Sequence, residues 1–231
     1  LDTLWIGSNS LSDGLPAELF DLTNLQVLEM ANTQLSVIPE GVTTLTNLRA
    51  LWLNNNQNMA GVIPANIGDL TNLEYLNLNA SGALTGEIPS SIANMSNLEY
   101  LYVNNTNFTG GYQHIGALTN LRVLYVINAP AIATDLPDSY SNLVNLENFV
   151  FGVGNYAPFP PEVLSMTNLK VLQAPEAGLT EIPVELGTFD SLYYINFRNN
   201  SITGAFPVEL NQQFQFVYIQ ENEIDDISAL E

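Results

Sequence analysis

Between positions 73 and 97 the chain reads LEYLNLNASGALTGEIPSSIANMSN. Apolar residues occupy its first, fourth and sixth places, followed by Leu84, Ile88-Pro89, Ile92 and Met95 before a closing Asn97. The same order of apolar and polar positions returns along nearly the whole chain every 22 to 25 residues. The turns so defined are 1–24, 25–47, 48–72, 73–97, 98–120, 121–145, 146–168, 169–191, 192–213 and a partial tenth, 214–231. Apolar residues at the fourth and sixth places, such as Leu51 with Leu53 or Leu124 with Val126, have the period of a short strand with one buried side. A fixed repeat of this length predicts a stack of like units, each burying its apolar side only against its neighbours.

The return leg of each turn carries a second apolar pair, such as Leu19 with Leu22 or Ile67 with Leu70, before a Thr-Asn or Ser-Asn step. Asparagine tolerates left-handed backbone and bonds to nearby main chain, so it suits a corner leading into the next strand. Pro16, Pro39, Pro64, Pro89, Pro137, Pro160, Pro183 and Pro207 recur after the mid-repeat apolar residue. Proline prevents strand pairing and disfavours a long helix, which predicts extended segments and short helical turns on that side. Turn 98–120 has Gly110-Gly111-Tyr112 in place of the proline, and an irregular outer side is expected there.

The pattern L-x-x-L-x-L-x-x-N-x-L at Leu1 to Leu11, with L-T-G-E-I-P at Leu84 to Pro89, resembles the leucine-rich repeat family. The nearest type is the one of about 23–25 residues found in plant receptor ectodomains and bacterial surface proteins. The resemblance covers essentially the whole chain. It implies one domain, a curved α/β-type solenoid or horseshoe, with a parallel β-sheet on the concave face and short helical or extended segments on the convex face. It also implies protein partners and no cofactor. The ninth place, usually Asn in the family, is Asn9, Asn56, Asn200 and Asn222 here, but Thr33, Ser81, Thr106, Ala129, Gly154 and Ala177 elsewhere. An asparagine ladder between turns is therefore expected to break from Ala129 to Ala177. Cys is absent, so the cysteine-rich caps of the plant ectodomains are absent too, which favours a bacterial or protist surface protein. The chain opens without Met on a strand motif, and flanking repeats or domains are expected in a longer protein.

If the fourth and sixth residues point inward, the third, fifth and seventh point outward, with the second and eighth at the margins. The third column reads Thr3, Val27, Ala50, Tyr75, Tyr100, Val123, Asn148, Val171, Tyr194, Phe216, and the fifth reads Trp5, Glu29, Trp52, Asn77, Tyr102, Tyr125, Val150, Gln173, Asn196, Tyr218. Both tryptophans fall here, whereas Phe149, Phe151 and Phe197 take inward columns. Trp and Tyr join a large contact area to a hydrogen-bonding tip, the chemistry of recognition surfaces. Trp5, Trp52, Tyr75, Tyr100, Tyr102, Tyr125, Tyr194 and Tyr218 are thus the candidate ligand-binding residues. The plainer account is an aromatic ladder between neighbouring strands.

Charge narrows the partners. Four Lys and Arg face 24 Asp and Glu, a net charge of −20, which repels nucleic acid and anionic membrane surfaces. No apolar run is long enough to span a bilayer. Arg49 and Arg122 are candidates for meeting an acidic group of a partner, but Glu74, Glu99 and Glu147 on adjacent strands are closer competitors. Acidic residues such as Asp13, Glu87, Asp138 and Glu185 read as a solvated outer side. The run Glu221-Asn222-Glu223-Ile224-Asp225-Asp226 has oxygen ligands but lacks the Gly turn and distal Glu of a calcium loop, so no metal site is assigned. The only histidine, His114, has no second His or Cys, and no catalytic residues are assigned. Asn79, Asn94, Asn104, Asn107 and Asn199 stand in N-x-S/T sequons, with Asn104 expected on the strand face.

The expectation is a non-enzymatic recognition module of a secreted or cell-surface protein, extracellular in location, binding a protein or peptide through the aromatic face. The alternatives are a carbohydrate-binding adhesin using the same rings, or a structural spacer.

Overall fold

A computed structural model describes residues 1–11, 14–210 and 214–230; Asp13, the closing Gln213 of the ninth turn and Glu231 lie outside them. Each turn contributes a three-residue strand: Thr3–Trp5 (β1), Val27–Glu29 (β2), Ala50–Trp52 (β3), Tyr75–Asn77 (β4), Tyr100–Tyr102 (β5), Val123–Tyr125 (β6), Asn148–Val150 (β7), Val171–Gln173 (β8) and Tyr194–Asn196 (β9). Thr203–Ala205 (β10), Phe216–Tyr218 (β11) and Glu223–Asp226 (β12) follow. Strands β1 to β9 and β11 form one ten-stranded sheet in chain order. Every pairing is parallel and joins equivalent repeat positions, Thr3 to Val27, Val27 to Ala50, and so on to Tyr194 with Phe216. The result is a curved solenoid with the sheet lining its concave side.

The register follows from the apolar positions. Leu48, Leu51 and Leu53, like Leu121, Leu124 and Val126, are fully buried and pack against their counterparts in neighbouring turns. A slip of one residue would carry these side chains to the solvent face. On the outer leg, short 3-10 turns replace α-helices. Pro16, Pro39, Pro89, Pro137, Pro160 and Pro183 stand immediately before such turns with φ between −62° and −68°. The fixed φ of proline presets this entry, and its missing N–H is not needed there.

Turn 98–120 departs from the expected irregularity. Its outer leg holds the regular 3-10 turn Tyr112–Ala117, preceded by Gly111 at φ 83°. A Cβ at Gly111 would collide with the backbone of Ile88, so glycine permits an approach that proline makes elsewhere, and Tyr112 fills the core beneath.

Asparagines bind the turns together at two places. At the corners Asn47, Asn72, Asn97, Asn120, Asn145 and Asn168 donate to backbone carbonyls of the preceding turn at 2.8 to 2.9 Å. At the ninth place Asn56 accepts from the N–H groups of Thr33 and Leu35 and donates to the carbonyls of Met30 and Leu53, and Asn200 and Asn222 repeat the scheme. Between Ala129 and Ala177 the side chains needed are missing, as the sequence indicates. There the main chain bridges instead, with the N–H of Tyr156 donating to the carbonyl of Ala177 at 2.8 Å.

The acidic tail continues the stack. Strand β12 pairs with β10 in a separate two-stranded parallel sheet, and the turn Ser228–Leu230 buries Ala229. Among the described residues no group of His, Cys, Asp and Glu is arranged to hold a metal.

Candidate functional site

The third and fifth columns stand on the concave face in the predicted order, because parallel in-register pairing places like positions side by side. Turns of nearly equal length set the ring spacings. Trp52 lies 4.7 Å from Tyr75, Tyr75 lies 5.8 Å from Tyr100 and 5.5 Å from Tyr102, and Tyr102 meets Tyr125 edge-on at 4.9 Å. These five candidates form one continuous, half-buried run. Tyr194 and Tyr218 form a second group with Phe216, at ring distances of 5.3 and 5.8 Å. Asn148, Val150, Val171 and Gln173 on β7 and β8 separate the two groups. Trp5 stands apart across Glu29 from Trp52, with 71% of its surface exposed.

Crowding changes the tyrosines' acidity. The Tyr102 hydroxyl is pushed up to about 12, first by burial and then by the neighbouring Tyr75, Tyr125 and Tyr100. Burial likewise raises Tyr194, with Tyr218 adding to the effect and Arg198 opposing it. These phenols therefore remain neutral donors and acceptors well beyond physiological pH. Polar neighbours orient two of them: Asn77 Nδ2 donates to the Tyr75 hydroxyl at 3.3 Å, and Asn148 Nδ2 donates to that of Tyr125 at 3.2 Å.

Arg49 and Arg122 have partners within the chain. Arg49 reaches Glu74 at 2.7 Å, while Arg122 lies 2.7 Å from Glu147 and 3.6 Å from Glu99. Lys170 also meets Glu147, at 2.8 Å. These exposed pairs form the charge ladder expected from adjacent strands, so engaging a partner's anion would mean breaking them. Arg198, on the same face, makes no ion pair among the described residues. It lies at the seventh place of its turn, an outward position just past the end of β9. The columns also contain Glu29, between the two tryptophans, whose environment only the folded chain reveals. Asn104, expected on the surface as a sequon, is buried and donates to Asn79 Oδ1 at 2.8 Å, a placement with no room for a glycan.

Comparison with known proteins agrees with this architecture. Residues 4–104 match the family model described as a leucine-rich repeat region. A leucine-rich repeat protein of Leptospira interrogans superposes with a TM-score of 0.72 at 26% identity, over 98% of this chain and 68% of that one. The chain has the leucine-rich repeat fold. Its leucine-rich repeat fold is also that of an internalin from Listeria monocytogenes, with a TM-score of 0.73 at 19% identity over 100% of this chain and 70% of the other. The ectodomain of the Arabidopsis receptor kinase HAESA, solved in complex with an N-terminally extended IDA peptide hormone, gives a TM-score of 0.73 at 22% identity, over 96% of this chain but only 38% of its own length. No curated protein matches the chain by sequence.

Proposed function

We propose that this chain is a single recognition unit that binds a protein or peptide through its concave face, as part of a secreted or cell-surface protein. One observation carries the reading: Trp52, Tyr75, Tyr100, Tyr102 and Tyr125 form an unbroken run of half-exposed rings, 4.7 to 5.8 Å apart. A soluble protein seldom presents so contiguous an aromatic patch without using it, and hydroxyl tips held neutral serve a partner's main chain. The fold is shared with an ectodomain that holds a peptide hormone, and no helix among the described residues is long and apolar enough to cross a membrane. Both facts are compatible with the reading, but the aromatic run is its basis. Tyr194, Tyr218 and Arg198 would extend the footprint toward the far end of the sheet.

Binding of a glycan is the second reading, favoured by the exposed Trp5 ring, a flat apolar plate of the kind on which sugars stack. An array of extracellular proteins and glycans separates the two, with a Trp52→Ala/Tyr102→Ala double variant run alongside. A protein hit lost in the variant supports the proposal, and a glycan hit lost in the variant supports an adhesin. A hit that survives the variant moves the site off this face, and silence on both arrays leaves a structural spacer.

A further inference from the structure

Trp5, Glu29 and Trp52 occupy the fifth place of three successive turns and, with Gly7 and Ser8, line a slot of about 440 Å³. Glu29 is held in a fixed position on the slot floor. One carboxylate oxygen accepts the N–H of Gly7 and the other that of Ala31, both at 2.9 Å. Gly7 matters for space: a Cβ there would collide with both carboxylate oxygens, so an alanine would displace the carboxylate. Each oxygen retains acceptor capacity beyond its one backbone donor.

The charge on Glu29 is unbalanced. Glu74, Glu99 and Glu147 on later turns each face an arginine or lysine, whereas Glu29 has no cation among the described residues. On either side of it stand the only two indoles in the protein. Strands are ~4.8 Å apart, so the two tryptophan positions are separated by about 10 Å and a group between them lies ~5 Å from each. That is inside the ~6 Å range over which an aromatic face attracts a cation. Trp52 is braced from behind by Tyr75 at 4.7 Å.

We infer that the Trp5–Glu29–Trp52 slot is a subsite for an arginine side chain of the protein partner, with the guanidinium stacked between the indoles and hydrogen-bonded to Glu29. A planar guanidinium fits this arrangement better than a lysine ammonium, since it can stack and donate along one edge at the same time. A chain carrying −20 also draws a basic segment toward the face. This inference deepens the protein-binding proposal and rests on it.

Because both tryptophans line the slot, their emission reports its occupancy directly. The experiment titrates the intact chain with a short Gly/Ser peptide bearing one arginine, and with the same peptide bearing citrulline, its neutral isostere. The arginine peptide should change the emission saturably and bind at least tenfold more tightly than the citrulline peptide, and added salt should weaken it. Glu29→Gln, whose amide oxygen can still accept a backbone N–H, should lose at least tenfold, as should Gly7→Ala, which moves the carboxylate without removing it. Melting curves of both variants establish that the fold is kept. Equal binding of the two peptides, or undiminished arginine binding by Glu29→Gln, would overturn the subsite. Tyr102→Ala lies outside the slot and tests the wider face: loss of the protein captured on the array there, with no arginine selectivity in the wild type, refutes the subsite alone. Selectivity with partner binding unchanged in Tyr102→Ala refutes the wider face alone.

Discussion

On the inner side of the sheet, Phe149 stacks with Phe151 at 5.2 Å, meets Tyr140 at 6.3 Å, and Phe151 meets Tyr156 at 5.1 Å. On the outer side, the run from Trp52 to Tyr125 shows ring distances of the same size. The inner rings are almost wholly buried and the outer ones half exposed. Ring spacing therefore does not distinguish the core from the exposed face, since rings meet at like distances within turn 146–168 on the inner side and across neighbouring turns on the other. Burial does distinguish them, since even the inner Tyr140 and Tyr156 are closed off from water. The inner side gains stability from removing area from water, while under the proposed function the exposed rings leave part of that gain to a partner.

The largest expected effect tests the inner side. Phe149→Ala leaves a cavity between Tyr140 and Phe151 and should cost about 3–5 kcal/mol, read as a large fall in melting temperature. A loss below about 1 kcal/mol would mean the rings are loosely packed and the contrast between the faces is weaker than drawn. The Trp52→Ala/Tyr102→Ala variant tests the outer side. It gives up three ring contacts worth roughly 0.5–1.5 kcal/mol each, so a fall in stability of about 1.5–4.5 kcal/mol is expected, with binding abolished. A loss exceeding that of Phe149→Ala, with binding kept, would show the outer run to be a stabilising ladder.

The sequence reveals the sheet side more fully than the contacts on it. Leu51, Leu76, Leu101 and Leu124 recur at one repeat position, and that alone fixes strand, register and core, because a parallel in-register stack has no freedom to place them otherwise. The two columns of outward residues follow by alternation. Less legible is whatever depends on how side chains turn once the strands are paired. Alternation puts Asn104 near the surface, but its side chain folds over Asn79 and is buried. Corner asparagines suggest a local bond, yet they reach the preceding turn. Gly110-Gly111 reads as a break, and only its close approach to Ile88 shows why a regular turn follows. The Glu29 slot needs three turns, two backbone donors and the absence of a side chain at Gly7, a combination no single repeat displays.

At the margin between the two sides, the third residue past each strand takes left-handed backbone, as at Asn32, Asn55, Asn105, Asn128 and Asn199. Val153 holds the same place at φ 56°, where a β-branched side chain is strained by about 1–2 kcal/mol. Val153→Asn should therefore stabilise the chain by about 1 kcal/mol, raising the denaturation midpoint without altering partner binding. A destabilising result would mean that packing of the valine outweighs its backbone strain.

The smallest effect belongs to the charge ladder. Hydrogen bonds from Lys170 and Arg122 hold the Glu147 carboxyl below its ordinary value of 4.5. A carboxyl more acidic in the folded state than in the unfolded one contributes stability above its unfolded value. The contribution is lost as pH falls below about 4.5 through the depressed folded value. Because solvent screens these pairs, the whole contribution should stay within about 1 kcal/mol. Glu147→Gln should thus lower stability slightly at neutral pH, and the difference from wild type should shrink both in acid and in high salt. It should also free Lys170 and leave Arg122 with only its longer contact to Glu99 at 3.6 Å. Tighter binding of an acidic peptide by Glu147→Gln than by wild type would mean that the cations are withheld from partners by their own ladder, and unchanged binding would confine their role to neutralising the sheet.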